Sequence, residues 1–348
     1  GARDDKLCTF CCNRLSTVYR CSRCSRRCYC SRKCQSSDWS ATNPGTGHKL
    51  WCSLRNGEQN EAWKISHISD HVGNGIIALQ DFEPNDRIMV DRCISEHDFV
   101  NKNDLCPQYV SKLMPVAGTL LEKFQLNAVG NEDGSSWLSP FISKVNHSCT
   151  PNAWHFYDPA SRSKILFALR PIKKGEEVTI DYVSITDTSS PNQSPELSSS
   201  LLQQQYRITC SLNDCPCNSK ASARKLLKIR KLDSDVMTLA STNPKVALGC
   251  VKELIHLSEQ EEYSHLFFNM ERILYDGFQV GIISPRNKAA GLKYLPKLLN
   301  VKMERFGPQF PKDRTVDPEH PKITETRQLV ANPQKHLALS DMLLSLQN

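Results

Sequence analysis

The sequence predicts an α+β protein that carries a small metal-bound module at its head. Three observations support this. Cysteines crowd residues 8–52, apolar residues alternate between residues 68 and 183, and helix-period patterning begins at residue 244. The chain has 348 residues, enough for about two domains of roughly 150 residues each. It contains no run of 18 apolar residues, so no membrane-spanning helix is expected. Residues 1–5 lack the apolar core of a signal peptide.

Nine of the sixteen cysteines lie within residues 8–52. With no signal peptide and with Cys-x-x-Cys pairs, metal ligation in a reducing compartment is expected over a disulfide framework. The order is Cys8-x2-Cys11, Cys21-x2-Cys24, Cys30-x3-Cys34 and His48-x3-Cys52. A pair two or three residues apart gives zinc two ligands from one turn, so eight ligands make two closed sites. Closed sites are structural, because a catalytic zinc keeps a position for water. The net charge is +7. Residues 1–60 hold eleven Lys/Arg against four Asp/Glu. A basic module of this kind can meet nucleic acid or acidic partners, but it lacks the interleaved aromatics of a nucleic-acid platform, which favours a solvated basic face.

In the central region, Gly75–Leu79 and Arg87–Val90 are rich in Ile, Val and Leu and flank Pro84-Asn85-Asp86. They predict a hairpin-like strand pair. Residues 108–126 have a helical pattern apart from Pro115, and residues 129–137 are expected to be a loop. Ile165, Phe167 and Leu169 alternate, as do Val178 and Ile180, so two strands are expected around the turn Pro171–Glu177. Residues 184–200 are Ser/Pro-rich and loop-like. Further on, residues 220–231 are expected to form a basic helical linker with a solvated face. Asn243-Pro244 should start a helix. Helical patterns run over 244–257, 260–283 and 285–306, and 306–322 is proline-rich.

Two resemblances add to this reading. The cysteine pairs, with YCSRKCQSSDW (29–39) and HKLWC (48–52), resemble the MYND zinc finger. In that family the pairs interleave. The resemblance implies one zinc on Cys8, Cys11, Cys30 and Cys34 and a second on Cys21, Cys24, His48 and Cys52, with Cys12 and Cys28 left over. It also implies docking of proline-containing peptides. The combination of Gly73-Asn74-Gly75, VNHSCTPN (145–152), GEEVTIDY (175–182) and the cluster Cys210, Cys215, Cys217 resembles the SET domain, a lysine methyltransferase fold. That fold has a knot-like crossing of the chain. The expected division is residues 1–56 as the finger, 64–190 as the SET domain with a partly helical insert at 95–140, 201–219 as a post-SET zinc segment, and 220–348 as a helical domain similar to the tetratricopeptide-like ends of SET-and-MYND proteins. In the best-known proteins of that kind the finger is inserted inside the SET domain after the G-x-G loop, whereas here it comes first.

The SET resemblance implies site residues one by one. Gly73, Asn74 and Gly75 match the loop that approaches S-adenosylmethionine. Asn146 and His147 match the residues that hold it. Tyr182 matches the catalytic tyrosine, and Tyr206 the aromatic that walls the lysine channel. Ile208 stands where an aromatic usually packs on the adenine. Cys149 would join Cys210, Cys215 and Cys217 around a third zinc. The spacing Cys210-x4-Cys215-x-Cys217 departs from the usual C-x-C-x2-C. The implied function is S-adenosylmethionine-dependent N-methylation of a lysine in a histone or non-histone protein, in nucleus or cytoplasm, with no membrane partner. Two alternatives stay open: a non-catalytic MYND/SET adaptor, and a SET-fold enzyme redirected to a small molecule. Duplex binding by the finger is a weaker third.

Overall fold

The computed structural model describes residues 8, 10, 15–22, 27–39, 48, 62–70, 72–101, 113, 117–130, 136–158, 163–183, 199–210, 215, 218–260, 270–283, 285–306 and 321–333. The chain divides into two compact units. One comprises residues 1–146, 153–179 and 308–318; the other comprises 147–152, 180–307 and 319–348. Strands and helices are both abundant, as the α+β expectation requires.

The first unit opens with β1 (Tyr19–Arg20), β2 (Cys28–Tyr29) and α1 (Arg32–Trp39). The two short strands pair antiparallel. Arg27 and Asp38 are both buried and form an ion pair at 2.8 Å, and Tyr29 Oη donates to the same carboxylate oxygen at 2.7 Å. A buried charge pair needs such added hydrogen bonds to offset its desolvation. Arg27 Nη2 also donates to the Val90 carbonyl at 3.3 Å. One guanidinium therefore ties the cysteine-rich head to the strand that follows residue 86.

That strand belongs to a pair of sheets. The strands are β3 (Trp63–Ser69), β4 (Gly73–Ala78), β5 (Arg87–Arg92), β6 (Ala128–Gly130), β7 (Ser136–Leu138), β8 (Asn146–His147), β9 (Ala153–Asp158), β10 (Ser163–Ala168) and β11 (Glu177–Ile180). One sheet has the order β3-β4-β11-β8 and the other β5-β10-β9, while β6 and β7 form a small ribbon. β10 is buried at every position, as a central strand covered on both faces should be, and β11 alternates between half-buried and buried. Helices α2 (Glu96–Asn101) and α3 (Leu120–Asn127) lie within the 95–140 segment. A capping box between Thr119 and Glu122 starts α3, which covers the end of the helix expected over 108–126; residues 108–112 and 114–116 lie outside the described residues. Of residues 102–116, only Leu113 is among those described.

The hairpin expected from residues 75–90 does not form. β4 pairs with β3 and β11, and β5 pairs with β10. The reason is an internal repeat. The turn Glu83–Asp86 recurs ninety positions later at Lys173–Glu176. In each turn the first backbone N–H donates to the last residue's carboxylate, and the third residue has positive φ, 67° at Asn85 and 91° at Gly175. Asn85 N donates to Ala168 O and Gly175 N to Ala78 O, both at 2.8 Å, and Phe82 bridges Ile172. Each turn is held by the strand that enters the other, so long-range pairing displaces the local one.

The second unit is helical: α4 (Lys220–Leu239), α5 (Pro244–Ser258), α6 (Met270–Ile283), α7 (Lys288–Leu292), α8 (Tyr294–Phe306) and α9 (Pro321–Ala331). Asn243 caps α5, its side chain accepting from Val246 N at 3.3 Å, with Pro244 in the first turn. The stretch expected to be a solvated linker is instead the front of α4, which buries Leu226, Ile229, Arg230, Asp233 and Val236. Lysines and arginines surround the apolar positions there and mask the period. Gly281 and Gly291 bring α6 and α7 into backbone contact; a Cβ on Gly281 would strike the Gly291 Cα.

Candidate active site

The first unit holds Gly73, Asn74, Gly75 and Asn146 together. Gly73 has φ of 78°, which a side chain would strain. Asn146 Nδ2 donates to the Asn74 carbonyl at 3.2 Å and to Glu177 Oε1 at 2.7 Å. Gly75 lies against both partners: a Cβ there would collide with Glu177 Oε1, with Asn146 Nδ2 at 2.7 Å and with Ile68 at 2.8 Å. The absence of a side chain at 75 is therefore a packing requirement of this corner. Glu177 was not singled out by the sequence reading. Its position inside the Gly-Glu-Glu segment was the available signal.

Asn146 is aimed from behind by a buried carboxylate. Asp91 Oδ2 accepts from the backbone N–H of Phe141 at 2.6 Å and of Ile142 at 2.9 Å. These groups open the 3₁₀ turn Ile142–Lys144, which closes when Val145 N donates to Ile142 O at 3.0 Å. The next residue is Asn146.

In the second unit, His147, Tyr182 and Tyr206 form an aromatic group. The His147 and Tyr182 rings are 5.4 Å apart between centroids, and those of Tyr182 and Tyr206 are 5.0 Å apart. Ser148 N donates to Ile180 O at 2.9 Å, which holds the two segments in register. Tyr182 N donates to His147 Nδ1 at 3.1 Å. An N–H donor makes Nδ1 the acceptor, so the ring proton sits on Nε2, 3.3 Å from Cys149 Sγ. Burial lowers the His147 pKa to about 4, so the ring is neutral at physiological pH. Asp181 Oδ1 lies 3.9 Å from Nδ1, but a neutral ring makes no ion pair with it. That oxygen accepts instead from Val183 N at 3.1 Å. Tyr206 ends an irregular turn over Leu202–Tyr206, followed by left-handed Arg207 at φ 56°. Burial raises the Tyr206 pKa, so its phenol stays protonated. Ile208 is half-buried, and its N–H donates to Leu202 O at 3.3 Å.

Thiols converge at two places. Cys8, Cys30 and Cys34 have sulfurs within 4.8 Å of one another, and so do Cys149, Cys210 and Cys215. The Cys30–Cys34 sulfurs are 3.5 Å apart and those of Cys210–Cys215 are 3.1 Å apart. None of the described cysteines is in a disulfide. Three reduced sulfurs facing a common point fit the zinc that a MYND finger implies, and the second trio can hold a metal in the same way. Cys21 and His48 are buried. Cys11, Cys24, Cys52 and Cys217 lie outside the described residues.

Residues 73–183 match the SET domain family model, and residues 8–52 match the MYND finger model. The matched segments define a chain that joins a zinc finger to a SET fold. Its head is similar to MYND fingers and its central region to SET domains, with the finger ahead of the matched SET segment. Among curated proteins it is 23% identical to human histone-lysine N-methyltransferase SMYD1 over 73% of this chain and 53% of that one. It is 26% identical to human N-lysine methyltransferase SMYD2 over 65% of this chain and 53% of that one. A solved structure of the Neurospora SET domain protein DIM-5, a histone lysine methyltransferase, is 18% identical, with a TM-score of 0.26 over 35% of this chain and 52% of that one. The chain spans about half the length of the curated relatives it matches.

Proposed function

We propose that the protein is an S-adenosylmethionine-dependent protein-lysine N-methyltransferase, acting on a histone or non-histone protein in nucleus or cytoplasm. Support comes from the two family matches and from relatives that carry lysine methyltransferase names. The observation that carries the reading is the Tyr182–Tyr206 pair beside a neutral His147. S-adenosylmethionine supplies an electrophilic methyl group to a lysine nitrogen. Gly73, Asn74, Gly75 and Asn146 are the residues proposed to bind it in the first unit, and His147, Tyr206 and Ile208 in the second. Gly75 is buried and lets the Glu177 carboxylate and the Asn146 amide meet, and Asn146 offers a polar amide.

The lysine must react as a neutral amine, and at pH 7.4 only about one free lysine in a thousand is neutral. Aromatic walls from Tyr182 and Tyr206 disfavour the ammonium by desolvation. The Tyr182 hydroxyl orients the amine. Its backbone N–H is held by His147, and its ring packs between those of His147 and Tyr206. Zinc on Cys8, Cys11, Cys30 and Cys34, on Cys21, Cys24, His48 and Cys52, and on Cys149, Cys210, Cys215 and Cys217 is structural in this reading. The finger is proposed to dock proline-containing peptides.

The test is Tyr182→Phe with radiolabelled methyl transfer onto protein, alongside calorimetric cofactor binding. Transfer should fall by about a hundredfold or more, with binding kept. Normal turnover by the variant would refute the assignment.

A further inference from the structure

The amide nitrogen of Asn146 is fully committed. Its two hydrogens go to Glu177 Oε1 and to the Asn74 carbonyl. Its Oδ1 accepts from no group among the described residues, and the residue is only half-buried. Reversing the amide would set Oδ1 against a carboxylate oxygen and a carbonyl oxygen, three acceptors with no proton between them. The orientation therefore follows from the chemistry of the neighbours. Gly75 makes room for it, since a methyl group there would displace both the carboxylate and the amide.

We propose that Glu177 is a positioning residue: it locks the Asn146 amide with its carbonyl oxygen outward and so selects a ligand that presents an N–H donor, such as an amino-acid ammonium. The selection rests on the proposed cofactor reading. The orientation does not, because both partners of the amide lie within the protein. Of the two acceptors, the carboxylate is the closer and the charged one, so it dominates. Without it, one backbone carbonyl remains to hold the amide, and the reversed rotamer becomes accessible.

Two measurements test this. In the ligand-free protein, nitrogen-edited spectra should give the Asn146 side-chain amide protons shifted and slowly exchanging. In Glu177→Met they should move to ordinary, fast-exchanging positions. Unchanged signals in Glu177→Met would overturn the orientation. The second measurement compares binding of S-adenosylhomocysteine with its analogue bearing hydrogen in place of the amino group. Wild type should prefer the amino ligand by about tenfold or more, the worth of one charge-assisted hydrogen bond. Glu177→Met should cut that preference by about threefold or more, and Asn146→Ala should remove it. The double variant should lose nothing further, because Glu177 acts through Asn146. A preference retained in Glu177→Met, or a further loss in the double variant, would overturn the proposal. If wild type bound neither ligand, the cofactor reading and the selection would both fall, and the amide signals would still decide the orientation.

Discussion

Asp91→Ala is the sharpest test of how the fold aims the polar corner around Asn146. The carboxylate is buried, and one oxygen accepts two consecutive backbone N–H groups, at 2.6 and 2.9 Å. Phe141 and Ile142, which carry those groups, are themselves buried. Truncation leaves both donors without their carboxylate. A buried donor stripped of its acceptor costs about 1–3 kcal/mol, so the pair costs roughly 2–6 kcal/mol, centred on about 4. Lys164, fully buried and paired in register with Asp91 across β5 and β10, loses a facing negative charge as well. The penalty is local first. Hydrogen exchange in the segment 139–146 should accelerate by about a hundredfold or more, since about 1.4 kcal/mol is a factor of ten. Asp91→Asn keeps an oxygen acceptor and should lose only about a third of that. Wild-type exchange in the segment for Asp91→Ala would mean that the carboxylate does not hold the 3₁₀ turn, and the chain of support behind Asn146 would be wrong.

Other expectations follow from single features. Gly75→Ala should destabilise the first unit by about 1–3 kcal/mol through overpacking, read from urea unfolding. Gly249→Ala, in mid-helix with open space around it, should stabilise the second unit by about 0.5–1 kcal/mol. His155 should make the fold acid-sensitive. Its Nδ1 is sealed from water without a hydrogen-bond partner among the described residues, and burial, with Lys164 nearby, lowers its pKa to about 3. The unfolded chain takes up a proton near pH 6.5 that the native ring refuses. This contribution to stability is complete above about pH 6.5 and is lost as pH falls toward 3. Unfolding midpoints of His155→Phe between pH 7 and 4.5 should decline less than those of wild type. Metal analysis should find three zinc ions per chain. Cys149→Ser should remove one and lower the melting temperature of the helical unit, since Cys149 and Cys215 also belong to its buried core.

What the sequence disclosed tracks the range of the forces involved. A finger is declared locally by pairs such as Cys30 and Cys34, so the match over residues 8–52 was legible from spacing. The capped start at Asn243-Pro244 was equally local. Strand existence was legible at β10 and β11 from their apolar residues, although alternation reports burial only at β11, since β10 is buried throughout. Pairing was not legible, because β4 could have closed on β5 across Pro84-Asn85. Only the bonds between two turns ninety positions apart, Asn85 N to Ala168 O and Gly175 N to Ala78 O, exclude that. α4 was misjudged for a related reason: Leu226, Ile229 and Val236 are sparse among charges, and α5, whose packing buries them, lies beyond the helix itself.

The site divides along the same line. Asn146, His147 and Tyr182 were named from their motifs, yet the groups that orient them were not. Asp91 is fifty positions from the N–H groups it accepts, and Glu177 is thirty-one from the amide it holds. Asp91 is an ordinary acidic residue within a strand and carries no local mark, and Glu177 carries only its place in the Gly-Glu-Glu segment. The structure distinguishes them by what each does to a donor. Asp91 removes two backbone N–H groups from competition, and Glu177 removes an amide hydrogen. An Asn-His pair in a turn is chemically ambiguous, because its amide can present either a donor or an acceptor. Two acceptors on one nitrogen end that ambiguity and turn the carbonyl oxygen away from both of them.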